Sequence, residues 1–169
     1  MHLKPADLLV AAKLAVGDPN ATLRQLESLL PGMSKSAIAL SLRRLKELGL
    51  VKVNGPGDQR VNRIALRDCL EHVVRWIVPA RMGKIELGLA TAHTSEAMAR
   101  NLFGDQDPVV IPLPEGPIRG RAVAPIHPAA PQAAALDPKL HQLLAIVDSF
   151  RIGGAREREV ARAELRACL

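Results

Sequence analysis

A mainly α-helical chain with one small β-hairpin is predicted by three observations. Apolar residues recur at helical spacing through residues 4–48, 67–78 and 138–150. Two short β-like runs, 50–53 and 61–65, flank the turn-rich segment Asn54-Gly55-Pro56-Gly57-Asp58-Gln59-Arg60. The hairpin follows directly on a helix closed by Gly49, giving the order helix, glycine, strand, loop, strand. A base-reading helix followed by a β-wing has that order. The expected architecture is an N-terminal winged helix-turn-helix with a C-terminal helical extension.

Residues 4–15 make the first expected helix, with Pro5 tolerated near its start and Leu8, Leu9, Ala12 and Ala15 on its apolar face. Gly17-Asp18-Pro19-Asn20 is a turn. The second helix spans 22–30, capped by Thr22, with Leu23, Leu26, Leu29 and Leu30 facing inward. Pro31-Gly32-Met33 leads to the third helix, 34–48, with Ser34 at its N-cap. Ile38, Leu42 and Leu45 are its buried stripe; Lys35, Ser36, Ala39, Leu40, Arg43 and Arg44 form the opposite side. Gly49 stands where a left-handed C-cap is wanted.

A fourth helix is expected over 67–78, with Leu70, Val73, Val74 and Ile77 inward and Cys69 and Trp76 off that stripe; Pro79 stops it. Residues 95–103 read as a further helix, capped by Thr94 or Ser95 and closed by Gly104. Seven prolines within 108–131 argue against a helix or a central strand there. The apolar stretches 109–111 and 118–126 instead suggest an ordered arm wrapped on the body. Asp137 caps an amphipathic helix over 138–150, whose stripe is Leu140, Leu143, Leu144 and Val147, widened by Ile146 and Phe150. After Gly153-Gly154, a last helix, 155–167, offers only a narrow Val160/Ala163/Ala167 seam. Four segments follow: a DNA-binding unit at 1–66, a helical connection at 67–103, a proline-rich arm at 104–136 and a helical pair at 137–169.

The pattern Thr22-Leu23-xx-Leu26, Met33-Ser34-xxx-Ile38 and Leu42-xx-Leu45-xxx-Gly49-Leu50-Val51 resembles bacterial winged-helix transcriptional regulators of the broad MarR-like kind. The likeness covers residues 5–66, and its Leu-xxx-Gly-Leu-Val exit is shared by many winged-helix subfamilies. Pro128-xx-Pro131, Asp137-Pro138 and LLAIVDSFRIGGAREREVA resemble the tail of winged-helix proteins encoded beside nucleotidyltransferase-type toxins. That second resemblance implies a toxin–antitoxin setting.

Composition narrows the partners. The chain has 169 residues, a formal charge of +6, no Tyr, one Trp and two Phe. Stacking of unpaired bases on aromatic side chains is therefore poorly supplied. Up to Val78 there are 12 Lys/Arg against 7 Asp/Glu, and from Pro79 onward 11 against 10, so the basic excess travels with the helix–hairpin stretch. No apolar run reaches the roughly 18 residues of a membrane helix, and the start lacks a signal-peptide cleavage site. With two isolated cysteines, Cys69 and Cys168, a cytoplasmic location is expected.

A major groove admits one α-helix, and the helix's N-terminal half reaches the base edges. Lys35, Ser36, Ala39 and Leu40 are then nearest the bases, with Ser34 at the cap, and Arg43 or Arg44 takes a guanine or a phosphate. Thr22, Arg24 and Gln25 are placed for backbone phosphates. Arg60, Lys52 and Arg63 supply the wing, where an arginine gains from the potential of a narrow minor groove. The bland alternative makes these the solvated side of a surface helix and an ordinary charged hairpin; the apolar Leu40 opposite the core stripe weighs against it. Trp76, Leu140, Leu143, Leu144, Val147 and Phe150 are the expected dimer or partner interface. No enzymatic activity, metal or cofactor is expected: the five histidines are scattered, and Gly55-Pro56-Gly57 lacks the Lys-Ser/Thr of a phosphate loop. The expected function is sequence-specific binding of double-stranded DNA by a homodimeric transcriptional regulator, in the repressing sense. The competing reading is a protein-interaction module, such as an antitoxin, whose winged helix and C-terminal helices bind a partner from the same operon.

Overall fold

A computed structural model describes residues 2–55, 57–102 and 106–169. It is mixed α/β and predominantly helical. Helices α1 (Pro5–Val16), α2 (Leu23–Leu29) and α3 (Lys35–Glu47) lead into a hairpin of β1 (Val51–Gly55) and β2 (Asp58–Val61). Thr22 caps α2, accepting from the Gln25 N–H while the Gln25 side chain accepts from the Thr22 N–H, so two free backbone donors are satisfied reciprocally. Ser34 caps α3 by accepting from the Ala37 N–H. At the other end of α3, Gly49 takes φ +73. The Gly49 N–H reaches the Lys46 carbonyl and the Leu50 N–H the Leu45 carbonyl, so the helix ends in a Schellman turn.

The elements that follow depart from sequence expectation in instructive ways. The second strand is Asp58–Val61 rather than 61–65, because Asn62 caps a helix that begins at once: α4 (Arg63–Asp68). This helix continues through a π-turn (Cys69–Val73) into α5 (Val74–Ile77). The wider turn spaces the inward residues as Leu66, Leu70 and Val74, all buried, and Val73 is rotated outward.

Beyond Pro79 a closed sheet takes in the second half of the expected helical connection (67–103) and much of the expected wrapping arm (104–136). Strands β3 (Met82–Ala90), β4 (Val109–Pro112) and β5 (Ile118–Val123) each pair with both others: β3 antiparallel to β4 and β5, β4 parallel to β5. The prolines punctuate these strands instead of interrupting them. Pro108 precedes β4, Pro112 ends it, Pro114 and Pro117 fall in the connection, and Pro125 follows β5. Proline lacks only an N–H, and at strand ends that donor is dispensable. Likewise Pro131 enters the first turn of α7 (Ala130–Leu136), where it is tolerated. A single-turn 3₁₀ segment (Ala92–Thr94) and the short α6 (Glu96–Ala99) link β3 to β4. The helix expected over 95–103 stops at Ala99, and Arg100, Asn101 and Leu102 are turn and irregular chain; Phe103 and the expected Gly104 stop lie outside the described residues.

Helix α8 (Pro138–Ile152) is the centre of the molecule, capped by Asp137, which accepts from the Lys139 and Leu140 N–H groups. Every residue from Leu143 to Arg151 is buried. A helix apolar on one face only could not satisfy that; α8 is covered from several sides, by α1, α5, α7 and α9 (Ala155–Cys168). On α9 the buried positions are Ala161 and Leu165, with Val160 partly so, and Ala163 and Ala167 are exposed. Helix α1 is enclosed in the same way: Asp7 to Ala15 are all buried, not one face alone. One hydrophobic cluster joins α1, α2, α3, α4, α7, α8 and α9. The Lys13 ammonium lies 2.6 Å from the Asp137 carboxylate, tying α1 to the start of α8. On α2, Leu26 and Leu30 are buried, whereas Leu29 is exposed.

Candidate nucleic-acid interface

Helix α3 presents two unlike sides. Ile38, Ser41 and Leu45 are buried, with Leu42 partly so. Outward lie Lys35, Ser36, Leu40 and Arg43, and half-buried Ala39 sits between them. Leu40 is 54% exposed, on the side away from the buried Ile38, Ser41 and Leu45. Ser34 and Ser36 hydroxyls meet at 3.0 Å at the N-terminal end. Lys35 stands 3.7 Å from Glu27, and the Arg43 guanidinium is 3.0 Å from Glu47 one turn on. Both are solvent-exposed pairs, worth at most about 1 kcal/mol, so a phosphate or base edge can displace either carboxylate.

Arg44 is a correction. It points inward, donating to both carboxylate oxygens of Asp7 at 2.6 and 2.9 Å, and its Nη2 also reaches the Ser41 hydroxyl. Asp7 is fully buried and the Arg44 side chain only 18% exposed. The hydrogen bond and charge of Asp7 hold the guanidinium more firmly protonated than usual. Adjacent positions on a helix lie 100° apart, which separates the outward Arg43 from the structural Arg44.

In the hairpin, Lys52 is paired directly with Arg60, so both project from one face. Arg60 lies 3.0 Å from Asp58, which also accepts from Asn54. Those two donors, Arg60 foremost, hold the Asp58 carboxyl below its ordinary range. The Gln59 N–H donates to the Pro19 carbonyl, docking β2 on the turn between α1 and α2. Pro56, in the loop, lies outside the described residues. Arg63 is a second correction: it opens α4 instead of lying on a strand, and donates to the Ala15 carbonyl at the end of α1. Thr22 and Arg24 are exposed at the start of α2, but the Thr22 hydroxyl is engaged with Gln25.

The expected interface residues on α8 are the largest correction. Leu140, Leu143, Leu144, Val147 and Phe150 are all at most 2% exposed within the single chain. Their partners are the chain's own α1, α7 and α9, so none is left to meet a second molecule. Trp76 differs. It is 74% exposed, with the Arg75 guanidinium 5.0 Å from its ring centroid, a cation–π arrangement.

Sequence reasoning missed a second basic surface, formed by Lys84, Arg119 and Arg121 on the closed sheet. The alternation Ile118-Arg119-Gly120-Arg121-Ala122 carried the signal at period two, and the surrounding prolines hid it. Other chemistry is sparse. Burial pushes the Cys69 thiol up to about 11, so it is a protonated, half-buried hydrophobe at neutral pH. Among the described residues, no group of three or more His, Cys, Asp or Glu is arranged to hold a metal, and no helix is long and apolar enough to cross a membrane. Comparison with protein-family models, curated proteins and solved structures finds no match.

Proposed function

We propose that this chain is a sequence-specific reader of double-stranded DNA, a winged helix-turn-helix regulator acting as a repressor. On this reading α3 lies in the major groove, and Lys52 and Arg60 of the hairpin reach the minor groove or its phosphates. The observation that carries it is the outward side of α3. Leu40 stands in solvent between Lys35, Ser36 and Arg43, where folding alone favours a polar residue. An aliphatic side chain among hydrogen-bond donors suits a thymine methyl beside a guanine or phosphate. Arg24 extends the basic line to the adjoining backbone. Arg44 and Arg63 have no part in contact; they fix α3 and α4 to α1. A two-fold operator is read by a dimer, and the exposed Val73 and Trp76 of the π-turn and α5 offer one apolar surface for it.

The test is a titration of duplex DNA from the chain's own promoter against salt. With about 6–10 phosphate contacts per dimer, affinity should fall about 10³–10⁵-fold between roughly 50 and 200 mM salt. Binding indifferent to salt, or equal for every unrelated duplex, would falsify the proposal.

A further inference from the structure

Strands β3 and β5 turn outward a face that no other part of the described chain covers. Ile85 pairs with Arg121 and Leu87 with Arg119 across the antiparallel ladder, and directly opposed residues project from the same face. Ile85 is 62% exposed and Leu87 47%, and both arginines are exposed beside them. Next to this face lies a hollow of about 580 Å³, bordered by Lys84, Ile85, Pro108, Arg119 and Arg121, with Asp107 the acidic residue of its lining. Gly120 in its lining lets β5 come close to the chain entering β4: a Cβ there would fall within 2.6 Å of the Pro108 carbonyl oxygen. Three cations against one carboxylate, interleaved with two aliphatic side chains, is neither a core nor a plain solvated surface.

We propose that this face docks a partner-protein segment carrying carboxylates beside aliphatic side chains. The forks of Arg119 and Arg121 suit carboxylates held in two hydrogen bonds, and Ile85 and Leu87 gain by leaving water. Nucleic acid would answer the charge but leave both aliphatic groups wet, and the face has no aromatic ring for a base to stack on. A second copy of the chain would bring the same positive face against itself. The surface is separate from the outward side of α3, so this inference stands independently of the DNA reading.

The experiment selects binders from a displayed library of random short peptides on the full chain. Selected peptides are then measured by fluorescence anisotropy against three proteins: the parent, Arg119→Gln/Arg121→Gln and Ile85→Ser/Leu87→Ser. All the replaced residues are exposed, and thermal melts confirm that the variants stay folded. The expected result is enrichment of Glu or Asp with Leu, Ile or Val, and a loss of about tenfold or more in affinity for each double variant. Promoter binding should be unchanged in both. Absence of enriched peptides, enrichment without acidic residues, or equal binding by all three proteins overturns the proposal. So does single-stranded oligothymidylate that binds the parent, loses affinity in the arginine variant and displaces any peptide.

Discussion

Two neighbouring arginines show how far a single position decides a role. Arg43 stands in solvent against Glu47, while Arg44 holds a fully buried Asp7 in a two-pronged ion pair. Removing one partner of a buried pair strands the other charge, at a cost of about 3–5 kcal/mol. Arg44→Ala should therefore lower stability by roughly that amount in a urea titration, with Asp7→Asn similar in direction. Arg43→Ala should leave stability within about 0.5 kcal/mol of the parent. On the proposed DNA reading its effect falls on base preference instead: with Leu40→Ala, it should change which base pair is preferred, by about 1–3 kcal/mol at one position. Site selection from a random duplex pool reads this, and an unaltered motif in both variants contradicts the placement of α3. Asp137 adds a pH dependence. Burial opposes its charge, but the Lys13 hydrogen bond and the Leu140 and Lys139 N–H groups outweigh it, so its carboxyl lies below the ordinary range. A carboxyl depressed on folding stabilises above its unfolded value, and that contribution is lost as pH falls through the folded one. Asp137→Asn should accordingly be less stable at neutral pH and should lose less stability on acidification, as measured by melts across the range below about pH 4.

Among the elements, the closed three-stranded sheet depends most on residue size. Gly88 pairs with both Pro112 and Ile118, and a Cβ there would fall 2.1 Å from the Ile111 carbonyl oxygen. The obstacle is backbone, so no rotamer can relieve it. Gly88→Ala is expected to part β3 from β4 and cost at least about 1–3 kcal/mol, the usual range for overpacking. Gly55→Ala, with nothing within 4 Å of the added carbon, is the matched control. If the two variants melt alike, the strands do not approach as described. Through the sheet, the Thr91 hydroxyl donates to Asp148, whose other oxygen accepts from Arg151, while Arg151 also donates to the Val78 carbonyl. This buried chain of bonds fastens the end of β3 and the exit of α5 to α8.

For the molecule as a whole, α8 decides what can be cut away. Its apolar residues lie in the same cluster as Leu8, Leu9 and Leu14 of α1 and Leu45 of α3. A chain ending at residue 136 would expose α1 on the side that α8 covers and lose the Lys13–Asp137 pair. Burying one leucine or valine is worth about 1.5–3 kcal/mol, and five such groups lie on α8 at Leu140, Leu143, Leu144, Ile146 and Val147. That sum, about 7.5–15 kcal/mol, is comparable with the whole stability of an ordinary domain, about 5–15 kcal/mol. The truncated chain should thus lack a cooperative thermal transition and show no salt-sensitive promoter binding. Circular dichroism melts of the two chains make the comparison. A truncated protein that melts sharply would mean that residues 1–136 close a core without α8.

What the sequence determined by itself was local: helical periodicity, the caps at Thr22, Ser34 and Asp137, the left-handed Gly49 and the hairpin after it. These features are legible because each is settled within a few residues by hydrogen-bond geometry and backbone sterics. The outward side of α3 was legible for the same reason, apart from Arg44, whose role is set by an aspartate 37 positions earlier in the chain. Only the tertiary structure decided which apolar stripes were spare. The stripe on α8 reads as an unfilled interface because a helix's own sequence does not name its partners, and α1 and α9 come to it from opposite ends of the chain. The same holds for the sheet of β3, β4 and β5. Its pairings are non-local, and its prolines look prohibitive until their positions at the strand ends are seen.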